Sequence, residues 1–298
     1  MLMKNFISRL IIGTVQHMPL QLIQLAYKVP FLASLASKLL KHSASDESTI
    51  VTVRQGPLAG RKLWINGTTP HYYWIKGHDE PAVLAALQML VKPGYHVVDI
   101  GSHVGTETLL FSQWVGPGGQ VTSIEADPIN FKMLTANVGV NGLSNVQLVN
   151  AAIYGESGLF EFINGKGVCS RLVDNRAASI NAPGTISSMQ THTLDELFAD
   201  KQPAVDLVKI DVEDSEVEVL RGATCLLREQ QPFVVVELHS FQSAKGCAKL
   251  LLNAGYQLEL IGNHHTGFES YLETQSQVDY AHGFARCHLL ARPARKHI

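Results

Sequence analysis

The chain has 298 residues, with 24 Lys and Arg against 26 Asp and Glu and a formal net charge of -2 at pH 7. That length holds one α/β domain of ordinary enzyme size plus an N-terminal appendage. No cluster of Lys and Arg is interleaved with aromatics, which disfavours nucleic acid as a partner and leaves a small molecule or a glycan. Cys169, Cys225, Cys247 and Cys287 are far apart with no C-x-x-C pair. That argues against a disulfide frame or a zinc site and fits reduced thiols in a cytoplasmic protein.

Residues 1–41 are rich in Leu and Ile and carry Lys4, Arg9, Lys28, Lys38 and Lys41, with no acid before Asp46. The longest uncharged run, Leu10 to Tyr27, is broken by Gln16, His17, Pro19, Gln21 and Gln24 and is too polar for a membrane span. A secretory signal is also disfavoured, because the apolar core is short and no small-residue cleavage site follows closely. Residues 1–45 are read as a helical segment, either packed on the rest of the chain or in peripheral contact with a membrane, lysines at the headgroups. An unstructured segment is the third reading. Residues 46–298, beyond the polar linker Ser43 to Ser48, are read as one further domain.

Thr49 to Val53 and Lys62 to Ile65, joined through Gly56-Pro57 and Gly60, predict a β-hairpin. Pro81 then opens a helix with Val83, Leu84, Leu87, Leu90 and Val91 at helical spacing. Strands are expected at His96 to Ile100, Val121 to Glu125, Val146 to Ile153, Asp206 to Val212, Phe233 to His239, Tyr256 to Ile261 and Cys287 to Ala291. Their alternation with helices implies a doubly wound parallel sheet with ligands above the carboxyl ends of its strands. The last two runs lack an obvious helix between them and should pair antiparallel. Residues 154–190 read as an insertion, with a short strand at Gly158 to Phe162 and a loop around Gly165 to Ala182 that can shape a ligand pocket. Cys169, Ser170 and Arg171 are candidates to line it, and His264-His265 reads as a surface loop.

The densest signal is Val97-Val98-Asp99-Ile100-Gly101-Ser102-His103-Val104-Gly105, followed about twenty residues on by Val121-Thr122-Ser123-Ile124-Glu125. Gly101 and Gly105 let the backbone turn sharply and approach a ligand closely. Glu125, at the end of the next strand, is placed to accept both hydroxyls of a ribose. The spacing is not the G-x-G-x-x-G of a dinucleotide site.

An acid before Gly-x-x-x-Gly, then a second strand ending in Glu, resembles the S-adenosylmethionine (SAM) site of class I methyltransferases. Over roughly residues 70–240 the chain resembles the FkbM-type SAM-dependent methyltransferases. The matching pieces include Ile124-Glu125-Ala126-Asp127-Pro128, Asn141-Gly142, Val149-Asn150-Ala151-Ala152-Ile153, Thr193-Leu194-Asp195-Glu196-Leu197, Val208-Lys209-Ile210-Asp211-Val212-Glu213, Val219-Leu220-Arg221-Gly222-Ala223 and Glu237-Leu238-His239. The resemblance implies an α/β, Rossmann-like seven-stranded sheet, mostly parallel with an antiparallel terminal strand. It implies methyl transfer from SAM to an oxygen of a sugar, glycan or secondary metabolite. Carried over, Asp99, Gly101, Ser102 and Gly105 should hold the methionine and ribose part of SAM, Glu125 the ribose hydroxyls, Asp127 the adenine or ribose edge, and Asn150 and Ala151 the adenine. The chain departs from the family pattern at Ser102-His103, Thr106, Ala126 and Asp214. Asp214 stands where Gly is usual, and Asp is among the few residues that adopt positive φ at modest cost. Alternatives are a non-catalytic SAM-fold binding protein, or transfer to nitrogen or to a protein.

An aliphatic hydroxyl needs a carboxylate or imidazole to take its proton as it attacks. Asp211, Glu213, Glu237 and His239 lie at the ends of the fourth and fifth strands, and Lys209 shares the face of Asp211 by the period-two rule and can pair with it or with Glu213. Thr193 is expected to cap a helix, and Ser215 with Glu218 to form a capping box. Asp211, Glu213, Glu237 and His239 also offer Mg²⁺ ligands, but no spacing in the chain assigns a metal.

Overall fold

A computed structural model describes residues 10, 12–14, 17–19, 21–22, 49–65, 80–165, 171–172, 184–198, 202–262, 268, 270, 272 and 287–294. The chain divides into two compact units, residues 1–79 with 132–142, and residues 80–131 with 143–298.

In the first unit, β1 (Thr49–Thr52) and β2 (Lys62–Ile65) form the expected antiparallel hairpin, Thr49 opposite Ile65. Val51, Leu63 and Ile65 are buried, and Lys62 and Trp64 meet side-chain amides with their backbones. The Lys62 N–H donates to Asn141 Oδ1 at 3.0 Å, and the Trp64 N–H donates to Asn137 Oδ1. A strand edge is thereby satisfied by side chains instead of a third strand. Leu10, Ile12 to Thr14 and His17 are helical, and among the described residues no helix is long and apolar enough to cross a membrane. The readings of residues 1–45 otherwise fall outside the described residues.

The second unit is built on β3 (His96–Ile100), β4 (Gln120–Ile124), β5 (Val146–Val149), β10 (Leu207–Ile210), β11 (Phe233–Leu238), β12 (Tyr256–Leu260) and β13 (Cys287–Pro293). Their order is β12-β13-β11-β10-β3-β4-β5. All neighbours are parallel except β13, which runs antiparallel to both β11 and β12. This is the class I methyltransferase sheet. The central strands are near-continuous apolar runs because both faces are covered, and every residue of β3, β10 and β11 is buried. Val98, Ile100, Ile124, Val208, Ile210, Val234 and Val236 enter one core cluster, and Val97, Val121, Leu207, Phe233 and Val235 enter another. Alternation along each strand puts these clusters on opposite faces.

The chain winds outward from β3 in both directions, so the strand order reverses between β3 and β10 and opens a crevice above their carboxyl ends. Ile100 pairs with Ile210, and Ile210 with Val236, which brings the loops after β3, β10 and β11 to one edge.

Helices α1 (Pro81–Leu90), α2 (Thr106–Val115), α3 (Pro128–Val140), α4 (Leu194–Phe198), α5 (Glu216–Arg221), α6 (Thr224–Glu229) and α7 (Phe241–Asn253) follow in chain order. The Thr193 cap is present: its Oγ1 accepts from the Glu196 N–H at 3.1 Å while Glu196 Oε2 accepts from the Thr193 N–H. The second capping box is not. Ser215 makes no side-chain cap bond, and Glu218 instead pairs with Arg221 one turn on.

Two expectations for residues 146–192 need correction. Val146 to Ile153 is not one strand: β5 stops at Val149, and β6 (Ala152–Ile153) joins a second sheet. That sheet, in the order β6-β9-β7-β8, adds β7 (Gly158–Gly165), β8 (Arg171–Leu172) and β9 (Gly184–His192) where a short strand and a loop were expected. Cys169 and Ser170 lie outside the described residues. Between β12 and β13, where no helix was expected, Phe268, Ser270 and Leu272 are helical. His264 and His265 fall outside the described residues.

Candidate active site

The loop from β3 into α2 begins at Gly101, whose φ is +77°. A Cβ there would lie 1.8 Å from the Asp211 carbonyl oxygen, so glycine is required by the neighbouring loop after β10. Close approach was anticipated, but the partner is the chain itself. Gly105 caps α2 at φ +88°, again left-handed. Ser102 is buried and spends its hydroxyl on the Asp99 carbonyl at 2.8 Å, which tightens the turn.

Glu125, immediately after β4, holds this loop from beneath. Its Oε2 accepts from the His103 N–H at 2.7 Å and its Oε1 from the Asp127 N–H at 2.9 Å. Burial pushes its carboxyl up to about 7, with the amide bonds from Asp127 and His103 opposing the rise. The Asn130 side chain also bonds to it, and a carboxylate with about four lone-pair sites still keeps acceptor capacity beyond these three donors. Asp127 caps α3: its Oδ1 accepts from the Ile129 N–H at 2.8 Å and the Asn130 N–H at 3.1 Å. Asn150 reaches back from the end of β5 and donates to the Glu125 carbonyl at 2.8 Å, and Ala151 beside it is buried.

A buried polar row crosses the sheet below the loop. Register places Ser123 beside Asp99 and Asp99 beside Lys209. Ser123 donates to Thr108 Oγ1 at 2.9 Å, and Thr108 donates to Asp99 Oδ2 at 2.7 Å. Asp99 Oδ1 is buried with no hydrogen-bond partner among the described residues. Burial raises the Asp99 carboxyl to about 6 against the pull of Lys209.

The Lys209 ammonium lies 2.7 Å from Glu107 Oε2 and 3.1 Å from Asp211 Oδ2. Burial opposes its charge, but Asp211, Glu107 and Asp99 outweigh burial and hold the pKa well above the usual lysine value. The expected pairing with Asp211 is present, and the second partner is Glu107 in the first turn of α2. Burial raises the Asp211 carboxyl, but Lys209 and His239 more than offset it and keep the group ionised.

Asp211 turns its other oxygen to His239. His239 Nε2 lies 3.5 Å from Glu237 Oε1, 3.7 Å from Asp211 Oδ1 and 3.8 Å from Glu213 Oε2. The atom is buried and makes no hydrogen bond among the described residues. On the opposite side of the ring, Nδ1 lies 2.6 Å from Glu216 Oε1. Glu216 is fully buried and also accepts from the Asp214 N–H at 3.0 Å and from the Ser243 hydroxyl. Burial disfavours a charged ring, but the Glu216 bond and the charges of Glu216, Asp211 and Glu213 prevail and push His239 up to about 9. At neutral pH this imidazole is a cation and has no lone pair with which to take a proton. Glu237 extends the cluster: its Oε2 lies 3.5 Å from His288 Nε2, which lies 3.5 Å from Glu80.

Glu213 and Asp214 have φ of +41° and +73°. Left-handed backbone is sparsely populated by residues other than Gly and collects at functional sites. Asp214 adopts the geometry expected of it where Gly is usual, and its N–H is anchored by Glu216. Asp195, by contrast, caps α6 through the Cys225 and Leu226 N–H groups.

Asp211, Glu213, Glu237, His239 and Lys209 therefore share one cluster, and Asp99, Gly101, Ser102, Gly105, Glu125, Asp127, Asn150 and Ala151 line the neighbouring loops. Glu107, Glu216, Glu80 and His288 were not foreseen. Glu107 follows the glycine turn directly, and a charged side chain one residue into a buried helix is a detectable signal. Glu216 looked like an ordinary first-turn acid, and nothing local reveals that it is buried.

A glycine turn after the first strand, an acid after the second and a mostly parallel seven-stranded sheet with one reversed strand define the class I methyltransferases. The chain belongs to the FkbM methyltransferase family, whose Methyltransferase FkbM domain matches residues 99–272. It is 29% identical over 163 residues to the hexuronic acid methyltransferase AglP of Haloferax volcanii, covering 54% of this chain and 63% of that protein. Among solved structures it resembles methyltransferase FkbM from Methylobacillus flagellatus, with TM-score 0.43 and 19% identity over 66% of this chain and 43% of the other. A SAM-dependent O-methyltransferase from Thermotoga maritima gives TM-score 0.43 and 13% identity over 90% and 83% of the two chains. The alignments thus span less than two thirds of AglP and less than half of the Methylobacillus chain.

Proposed function

We propose that this protein is a SAM-dependent methyltransferase that methylates a hydroxyl of a sugar acid or of a glycan bearing one. The observation that carries the reading is the cluster of Asp211, Glu213 and Glu237 carboxylates directly beside the glycine turn at Gly101. The family and the likeness to a hexuronic acid methyltransferase support the acceptor class. The free thiols Cys225, Cys247 and Cys287 support a cytoplasmic setting.

The residues fit the cofactor. Glu125 retains acceptor capacity for ribose hydroxyls, and the unpartnered Asp99 Oδ1 suits the donor groups of the methionine part. Gly101, Ser102 and Gly105 keep side chains out of the turn, Asp127 fixes the start of α3, and Asn150 and Ala151 border the adenine side. SAM, when bound, would supply a methyl group on a sulfonium centre, to which an acceptor oxygen would bond in line as the C–S bond breaks and S-adenosylhomocysteine leaves. The chain's own contribution is positioning and proton removal. Asp211, ionised and held by Lys209 through Oδ2, accepts the hydroxyl proton on Oδ1. Glu213 and Glu237 stand beside it, and the His239 cation balances their charge.

Calorimetric titration with SAM and with S-adenosylhomocysteine is the first test, and absence of saturable binding would overturn the reading. Glu125→Ala is expected to weaken SAM binding by roughly 1.5 to 3 kcal/mol, the loss of a charged acceptor. Affinity should also depend on pH with a defined sign. In the free protein Glu125 titrates at about 7, and ribose hydroxyls are best accepted by its ionised form. A proton must therefore be released below that value, so affinity should rise as pH increases from 6 to 8 and then level off. Glu125→Gln should flatten the profile. A pH-independent affinity in the parent chain would remove Glu125 from the ribose site.

A further inference from the structure

We propose that Asp211, Glu213, Glu237 and His239 form a divalent-cation site, with Glu216 as the positioning residue that aims the imidazole. Ligand atoms of Asp211, Glu237 and His239 lie within 4.8 Å of one another. His239 Nε2, 3.5 to 3.8 Å from three carboxylate oxygens, is buried, points into the cluster and makes no hydrogen bond among the described residues. Its side chain is only 4% exposed.

The ring is oriented as a metal ligand is. A metal-bound histidine characteristically donates its other N–H to a carboxylate, which fixes the tautomer and the ring plane. Glu216 meets that description at 2.6 Å from Nδ1, and its remaining acceptor capacity is taken by the Asp214 N–H and the Ser243 hydroxyl. Glu216 itself is thus committed to the ring and to α7. Asp211 is oriented in the same sense: Lys209 holds Oδ2 and leaves Oδ1 toward the ring.

Separations of 3.5 to 3.8 Å slightly exceed the edge of an octahedron about Mg²⁺, which for bonds of 2.0 to 2.1 Å is about 3.0 Å. Closing the cluster onto an ion shortens these separations by about 0.5 to 0.8 Å, which side-chain rotation supplies once the Nε2 proton has left. Three carboxylates with one imidazole combine oxygen donors suited to Mg²⁺ or Mn²⁺ with a nitrogen that favours the transition ion, so the chemistry selects Mn²⁺ over Mg²⁺. The ion takes the place of the Nε2 proton. The inference rests on the methyltransferase reading for its purpose: a hydroxyl coordinated to the ion becomes more acidic and deprotonates more readily for attack. With the ion bound, Asp211 ligates through Oδ1 and Lys209 holds its Oδ2, so the proton passes to the second oxygen of Glu213.

The test uses the full chain, without acceptor. Mn²⁺ is titrated and followed by loss of the free-ion electron paramagnetic resonance signal, with calorimetric titration of SAM in parallel. One saturable site is expected, displaced by a larger excess of Mg²⁺. Glu213→Gln, at a partly exposed side chain, and Glu237→Gln, at a buried one, should weaken it at least tenfold, and Glu216→Gln by roughly 10- to 100-fold. Glu259→Gln, an exposed partner of Arg292, should leave it unchanged. If Glu216→Gln does not fold, the other two variants decide the matter. No saturable Mn²⁺ binding in a chain that binds SAM, or equal binding in Glu213→Gln and Glu237→Gln, would overturn the cation site alone. Mn²⁺ binding with no SAM binding would sustain the site and defeat the methyltransferase reading.

Discussion

Gly101→Ala is expected to destabilise the chain by about 2 to 5 kcal/mol and to abolish SAM binding. Two costs add. A β-carbon 1.8 Å from the Asp211 carbonyl oxygen cannot be accommodated by rotating a side chain, because the obstacle is backbone. Overpacking of that kind costs about 1 to 3 kcal/mol or more. The left-handed φ of +77° adds about 1 to 2 kcal/mol for any residue with a Cβ. For a chain of this size each kcal/mol lowers the melting temperature by about 2 to 4 °C. Thermal unfolding should therefore shift down by about 4 °C or more. A variant that melts with the parent chain would show that the loops after β3 and β10 are not in contact.

Asp211→Asn is expected to suppress turnover by about 10²- to 10⁴-fold, the usual contribution of a positioned general base. SAM affinity should stay close to that of the parent chain. Asparagine keeps an oxygen that can accept from Lys209, and Lys209 retains Glu107 at 2.7 Å, so the buried ammonium remains paired. The substitution removes the proton acceptor and one anionic partner of His239, and leaves the glycine turn and Glu125 untouched. Single-turnover methylation of a hexuronic acid acceptor by SAM-saturated protein separates the chemical step from binding. Intact turnover would move the base to Glu213 or Glu237.

The architecture was legible wherever burial dictates composition. Strands β3, β10 and β11 are covered on both faces and so read as unbroken apolar runs, each ending at an acid or a glycine. The second sheet was hidden for the converse reason. β9 carries Thr, Ser, Ser, Gln and Thr, with no apolar periodicity of its own, and becomes a strand by pairing with β7 from Gly158 opposite Thr191 to Gly165 opposite Gly184. The positions of Asp211, Glu213 and His239 followed from strand ends, but their chemistry did not. Whether His239 accepts protons depends on Glu216, twenty-three residues away and buried in a helix start that resembles many others. Ser215 illustrates the same limit: a capping sequence is satisfied only if the backbone beside it is free, and here the preceding residues are already in left-handed geometry.

That geometry at Glu213 and Asp214 sets fold stability against function. At φ of +41° and +73°, glycine would suit the backbone better at both positions, and removing the side chains would also relieve repulsion among neighbouring carboxylates. The chain forgoes that gain and keeps two acids on a turn that strains to hold them. Substitutions selected only for thermal stability would therefore be drawn to this loop and would take Glu213 out of the carboxylate cluster, the familiar conflict between a relaxed scaffold and a charged site.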